Sequence, residues 1–189
     1  MKIGIININR VNASFTYPCN FMLVCSMNPC PCGYYGAKDK NCTCSDKQIS
    51  AYINKISGPL LDRIDIHVEV EAVEYGKLEK IEEEEASEEI RKRVNKARKL
   101  GRDRYKKYGI YSNSELTPEL TKKYCKLGEK EKRVLKEAFD KMGFSARAYG
   151  RILKVARTIA DLDEKENIEF KHIAEAIKYR DLDRKYWGN

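Results

Sequence analysis

Between Phe21 and Cys25 the chain runs Phe-Met-Leu-Val-Cys without a polar interruption. Such a short continuous run predicts a strand buried on both sides. Ile64, Ile66, Val68 and Val70 alternate with polar residues, and this period of two predicts a second, half-buried strand. Between them the pattern breaks. Residues 29–45 are rich in proline, glycine, cysteine and small polar groups, which predicts a loop. Ser45, with Gln48 three places on, has the signature of a capping box. It opens a predicted helix from Asp46 to Ile56 with Ile49, Tyr52, Ile53 and Ile56 on its inner face, and Gly58-Pro59 closes it.

From Ser87 onward the pattern is helical. A first helix is expected over 87–108, strongly basic on its exposed side. Thr117-Pro118 supplies a cap followed by proline at the first helical position, and the helix it opens ends near Leu127-Gly128. A third helix is predicted from Glu129 to Met142, stopped by Gly143. Ser145 caps a fourth that turns Ile152, Val155, Ala156 and Ile159 inward. The last runs from Lys171 to Arg180 and presents Ile173, Ala174 and Ile177. The expected fold class is α+β, mainly α. The shift in composition places an α/β part at 1–75, an acidic linker at 76–86 around the run Glu82–Glu85, and an all-helical domain at 87–189.

Length and charge refine this picture only a little. The chain has 189 residues, enough for one medium domain or two small ones. Its 37 basic and 29 acidic residues give a net charge of +8, which favours contact with a polyanion such as nucleic acid. The mixture of signs also fits a solvated surface rich in ion-pair partners. No run of about eighteen apolar residues is present, so no membrane span is expected. The first residues are too short and polar a stretch for a signal peptide. Together with seven cysteines, this points to a reducing cytoplasm, where clustered cysteines are more often metal ligands than disulfides.

Four of those cysteines form two Cys-x-Cys pairs, Cys30/Cys32 and Cys42/Cys44, with nine residues between the pairs. Zinc takes four ligands in a tetrahedron, and thiolates bind it well at neutral pH. Pro31 stiffens one turn, and Gly33 permits an unusual backbone angle beside it. The preferred reading is a structural zinc site that holds a loop otherwise poor in apolar residues. Reduced cysteines in a flexible loop, or a redox disulfide pair, are the alternatives. A closed four-thiolate site leaves no open coordination position for catalysis. Cys19, Cys25 and Cys125 sit apart and read as small core or near-surface residues, and the twelve tyrosines as packing residues. His67 and His172 have no neighbour at ligand spacing and read as structural or solvated.

Three separated segments carry a family resemblance. They are Asn12–Val24 continuing into Met27-Asn28-Pro29-Cys30-Pro31-Cys32-Gly33, then Ile56–Val70 with Leu61-Asp62-Arg63-Ile64-Asp65 at its centre, then Phe144–Leu162. Over roughly residues 10–180 the chain resembles the magnesium-chelatase-like AAA+ ATPases of the ComM/YifB group. The resemblance implies a partial AAA+ core followed by a helical lid. It implies a relationship to the magnesium chelatase ATPase subunit and to replicative MCM helicases, a homo-oligomeric ring, use of ATP and magnesium, and action on branched DNA during recombination. By the same likeness Asn28 matches sensor 1, Arg63 the arginine finger acting in trans, and Arg147 sensor 2, with Arg151 one helical turn on as its rival.

The chemistry of those residue types agrees. A guanidinium supplied by a neighbour stabilises charge on a transferring phosphoryl group. An asparagine at a strand end orients a water, and an arginine in the first turn of a lid helix couples nucleotide to lid motion. Taken without the resemblance, Arg63 is a surface ion-pair partner of Asp62 or Asp65, and Asn28 a turn former.

The sequence departs from the family pattern in one respect. It contains no Gly-x-x-x-x-Gly-Lys-Ser/Thr and no apolar strand ending in paired acids. The expectation is therefore the C-terminal part of such an ATPase, unable to bind or turn over ATP by itself. Residues 1–75, deprived of neighbouring strands, are expected to be poorly ordered alone, or held by the metal and by pairing with another chain through exposed sheet edges. Two other functions remain open. One is a zinc-loop, basic helical module gripping nucleic acid through Arg91–Lys107 and Lys122–Lys136. The other is a magnesium chelatase subunit proper.

Overall fold

The computed structural model describes residues 4–37, 39–70 and 85–180. The expected linker and the boundary near residue 75 lie largely outside them.

The chain opens with an antiparallel hairpin, β1 (Ile5–Arg10) and β2 (Ala13–Pro18), joined at Val11-Asn12. Its pairing, Ile6 opposite Tyr17 and Ile8 opposite Phe15, collects the large apolar side chains on one face. The other face is polar: Thr16 donates to Asn7 at 2.7 Å and Ser14 to Asn9 at 2.5 Å. This hairpin was not expected from the sequence.

Both predicted strands are absent as strands. Residues 21–25 and 64–70 join no sheet. Phe21, Met22, Leu23 and Val24 are exposed, Met22 to 87%, as are Ile66, Val68 and Val70. The reason is physical: a strand is defined by its ladder, and among the described residues neither run belongs to one, the His67 amide bonding instead to the Tyr179 carbonyl after the last helix.

The cysteine loop leads into α1 (Asp46–Ile53). Its capping box is present as predicted, Ser45 accepting from the Gln48 amide and the Gln48 side chain accepting from the Ser45 amide. Ile49 and Ile53 are buried, and with Cys30 they form a small core closed by Cys32, Cys42, Cys44 and Tyr52. Gly58-Pro59 does more than end this helix. It opens a single turn, α2 (Gly58–Leu61), whose C-cap is Asp62 and which delivers Arg63.

The helical part has its own larger core. α3 (Ser87–Tyr105) passes through a 3-10 turn at Lys106–Tyr108, and a second such turn, Asn113–Glu115, leads to α4 (Pro118–Tyr124). α5 (Glu129–Met142), α6 (Ala146–Leu162) and α7 (Phe170–Lys178) complete the bundle. α6 is its axis. Ala148, Ile152, Leu153, Ala156 and Ala160 are buried along one stripe, against Ile173 and Ala176 of α7 and Leu135 of α5. The α5–α6 corner is set by Gly143, left-handed at φ 63°, and by Ser145, whose hydroxyl accepts the Ala148 amide at 3.1 Å. Ser145→Ala is expected to cost about 1 kcal/mol, read as a drop of roughly 4–8 °C in thermal midpoint of the helical signal.

Candidate functional site

The four cysteine sulfurs converge. All lie within 4.8 Å of one another, with Cys30 3.3 Å from Cys32 and 3.7 Å from Cys42, and Cys32 3.5 Å from Cys42. A tetrahedron with metal–sulfur bonds of about 2.3 Å has edges of roughly 3.8 Å, so the four thiols lie close to the separations of a closed S4 site. Gly33 adopts φ 83°, the left-handed geometry that glycine favours, and turns the chain back after Cys32. Backbone amides then face the sulfurs, among them Tyr35 N–H, which donates to Cys30 at 3.4 Å.

Those amides bias the thiols. Donation from Tyr34 and Thr43 pulls Cys32 down to about 5. The Cys44 amide acts on Cys42 in the same sense, but burial and hydrogen bonding with Cys32 and Cys30 outweigh it and push Cys42 up to about 12. Hydrogen bonds among the thiols thus push their affinities for protons apart, and a divalent cation would bind the set by displacing the protons it holds. The group could bind a metal ion, and its soft donors suit zinc rather than magnesium or calcium.

A second cluster, Asp163, Glu169 and His172, is arranged differently. His172 Nδ1 accepts the Glu169 amide at 2.9 Å, which puts the ring proton on Nε2, 3.1 Å from Asp163. Both ring nitrogens are thus engaged at the start of α7, in keeping with a structural role. Lys171 pairs with Asp163 at 2.5 Å, and bonding from Lys171 and then His172 holds that carboxyl below its usual range.

The other feature is a broad cleft of about 3420 Å³ between the first half of the chain and the helical bundle. It is several times the roughly 300–1,000 Å³ of a small-molecule site. The extended segments 21–29 and 63–70, α4 and the outer face of α6 form its walls. Asn28, Arg63, Arg147 and Arg151 all line it. Asn28 is exposed, on the segment entering the cysteine loop, with its amide facing Gly33. Arg63 is exposed at the end of α2 and donates to the Pro59 carbonyl of its own turn at 2.5 Å. Arg147 is exposed in the first turn of α6. Arg151 is instead paired with Asp65.

Comparison with known proteins follows this division. The family described as "Magnesium chelatase, subunit ChlI" matches residues 1–78, and "Magnesium chelatase, subunit ChlI C-terminal" matches residues 84–180. The chain belongs to the magnesium chelatase ChlI family. Among curated relatives it is 41% identical over 186 residues to competence protein ComM of Haemophilus influenzae, which covers 97% of this chain and 35% of that protein. YifB of Escherichia coli is 38% identical over 185 residues, again 97% of this chain and 35% of the relative. Rv2897c of Mycobacterium tuberculosis is 31% identical over 180 residues, 95% and 35% respectively. The chain thus spans about a third of the length of the curated relatives it matches.

Within this ChlI-family chain the structure adds residues that sequence reasoning missed. Arg157 and Asp161 are buried at 2% and 1% exposure. Asp161 accepts from Arg104 at 2.6 and 2.9 Å, from Asn113 at 2.9 Å and from Arg157 Nε at 3.2 Å. A signal was present: both lie on the stripe of α6 that otherwise carries Ile152, Leu153, Ala156 and Ala160. Arg180, buried after α7, is the other, and its partners lie 116 or more positions away, with no local pattern to announce them. No helix of the described residues is long and apolar enough to cross a membrane.

Proposed function

We propose that this chain is the C-terminal segment of a ComM/YifB-type AAA+ ATPase, a cytoplasmic ring that uses ATP and magnesium to remodel or move along DNA. In this reading Arg63 reaches the triphosphate of a neighbouring subunit, Asn28 positions the attacking water, Arg147 touches the subunit's own nucleotide, and zinc on Cys30, Cys32, Cys42 and Cys44 fixes the loop beneath Asn28. The observation that carries it, beside family membership, is the state of Arg63. It follows a one-turn helix, with its guanidinium exposed and bonded to the Pro59 carbonyl rather than spent on Asp62 or Asp65. Arg147 is preferred over Arg151 because Arg151 is already paired with Asp65.

Each residue does what its chemistry permits. A planar, permanently charged guanidinium suits the equatorial oxygens of a phosphoryl group in transfer. Zinc, when bound, supplies a structural cross-link and no reactive position. The expected result of Arg63→Ala in the full-length subunit is a loss of ATP turnover of about 10³-fold with ring assembly intact. Steady-state ATP hydrolysis and sedimentation check this, and an Arg63→Ala ring with unchanged turnover would end the proposal. The purified 189-residue chain, with no phosphate-loop sequence, is expected to show no turnover of its own.

One arrangement favours the reading of the helical part as a nucleic-acid module. Lys107 and Lys123 sit over the Tyr108 ring at 5.2 and 5.7 Å, with Tyr124 packed edge-on beside it. Lysines framing a partly exposed ring offer phosphate neutralisation next to a stacking surface. This patch is compatible with DNA binding by the ATPase, and Lys107→Ala/Lys123→Ala is expected to lower the slope of log affinity against log salt by about 2.

A further inference from the structure

The turn that carries Arg63 is tied to the helical bundle on both flanks. Arg180, 1% exposed, donates from Nη1 to the Ile64 carbonyl at 2.5 Å and reaches the Leu61 carbonyl at 3.5 Å. Its Nη2 lies 3.5 Å from Asp62. The Tyr179 carbonyl accepts the His67 amide at 2.9 Å. From the other side Arg151 of α6 pairs with Asp65. Residues before and after Arg63 are therefore held from α6 and from the end of α7, while the Arg63 side chain stays exposed.

Charge-assisted bonds from a desolvated guanidinium to backbone carbonyls are strong, and water has no room to replace them. The exposed Arg151–Asp65 pair is the weaker tie. Fixing a backbone on both sides of an exposed side chain is what a group acting at a distance requires, because a displacement of about 1 Å costs roughly 10²-fold in a phosphoryl-transfer site.

We propose that Arg180 is a positioning residue for Arg63. It makes the turn of residues 61–67 a rigid extension of α6 and α7, so that movement of these helices moves the Arg63 guanidinium. Arg147 lies one helical turn before Arg151. A ligand that draws α6 through Arg147 therefore shifts Asp65, and with it the turn that faces the neighbour. This inference rests on the reading of Arg63 as a trans-acting group, and it gives that reading a route by which one subunit's nucleotide state reaches the next subunit's site.

Hydrogen–deuterium exchange on the 189-residue chain tests the mechanical part. Arg180→Ala is expected to speed exchange of amides 62–67 about tenfold, Arg180→Lys to give an intermediate rate, and the amides of α5 and α6 to stay protected. Unchanged protection of 62–67 overturns the proposal. So does equal loss throughout α5 and α6, which would make Arg180 a residue of global stability.

In the full-length subunit, Arg180→Ala is expected to lower kcat for ATP roughly 10²-fold at unchanged KM, with partial return in Arg180→Lys. If Arg63→Ala leaves kcat unaltered, the trans-acting reading fails. If Arg63→Ala lowers kcat and Arg180→Ala does not, the positioning role alone fails.

Discussion

Cys30→Ser is expected to abolish metal binding and to unfold the segment from Pro29 to Ser45 together with the packing of α1. Purified without chelator, the unaltered chain is expected to carry about one zinc per polypeptide, and the variant less than about 0.1. Cys30 is the member of the four that is fully enclosed, and it also anchors the small core with Ile49 and Ile53. Those two isoleucines, Tyr52 and three partly buried cysteines are little apolar surface for a loop of this length, and in the proposed reading a bound metal supplies the rest. A serine hydroxyl is a far poorer zinc ligand than a thiolate at neutral pH, and three thiolates leave an open, hydrolysable position.

The same argument fixes the sign of the pH dependence. Zinc binds thiolates, and burial and bonding to neighbouring thiols raise Cys42 and Cys44 above the ordinary thiol value. Metal affinity must therefore fall as pH falls, because protons compete for the sulfurs. Elemental analysis and cobalt substitution, in which tetrahedral bands and a thiolate charge-transfer intensity matching four sulfurs are expected, are the measurements. A metal-free wild-type chain that keeps α1 and the loop protected from exchange would sink the assignment.

Legibility in the sequence tracked how local each determinant is. α5 and α6 were placed from Gly143 and Ser145, whose effects act within four residues. The cysteine cluster was legible because a Cys-x-Cys pair is short enough to fix its own geometry, and the capping box at Ser45 fixes where the loop ends. Residues 21–25 and 64–70 carry strand-like side-chain patterns. Those patterns report only which faces want burial; the ladder that makes a strand comes from elsewhere, and none of the described residues provides it. The hairpin at Ile5–Pro18 escaped notice for the opposite reason. Its alternation is interrupted by the adjacent Ile5-Ile6, and its Val11-Asn12 turn lacks the Asn-Gly or Asp-Gly signal of tight hairpins. Arg180 and its carbonyl partners were invisible, since a backbone acceptor has no sequence identity. For the nucleotide-facing residues, the residue types themselves carried nothing specific. Arg63, Asn28 and Arg147 were singled out by resemblance, and the structure contributes their exposure along one cleft.

Asp161→Ala is expected to be among the most damaging single substitutions in the helical bundle, costing about 3–5 kcal/mol. Asp161 is the sole carboxylate among the described residues bonded to both Arg104 and Arg157. Through Asn113, which also bonds Thr158 and accepts from Tyr105 at 2.7 Å, it ties α3 and the 113–115 turn to α6. Arg157 in turn donates to the Glu166 and Lys165 carbonyls at 2.6 and 2.5 Å, closing the loop before α7. Removing the carboxylate leaves a guanidinium with 2% exposure facing no counter-charge, and that desolvated positive charge outweighs the lost hydrogen bonds themselves. The loss is a large share of the roughly 5–15 kcal/mol that stabilises a domain. Urea denaturation followed by helical circular dichroism is the measurement, with the midpoint falling and the slope unchanged. The double variant Asp161→Leu/Arg157→Met is expected to recover part of the loss, because it removes the more deeply buried of the two guanidinium charges, while Arg104, at 19% side-chain exposure, still reaches solvent. Asp161→Ala with a wild-type midpoint would mean that water reaches Arg157 and that the network is not the fastening of this bundle.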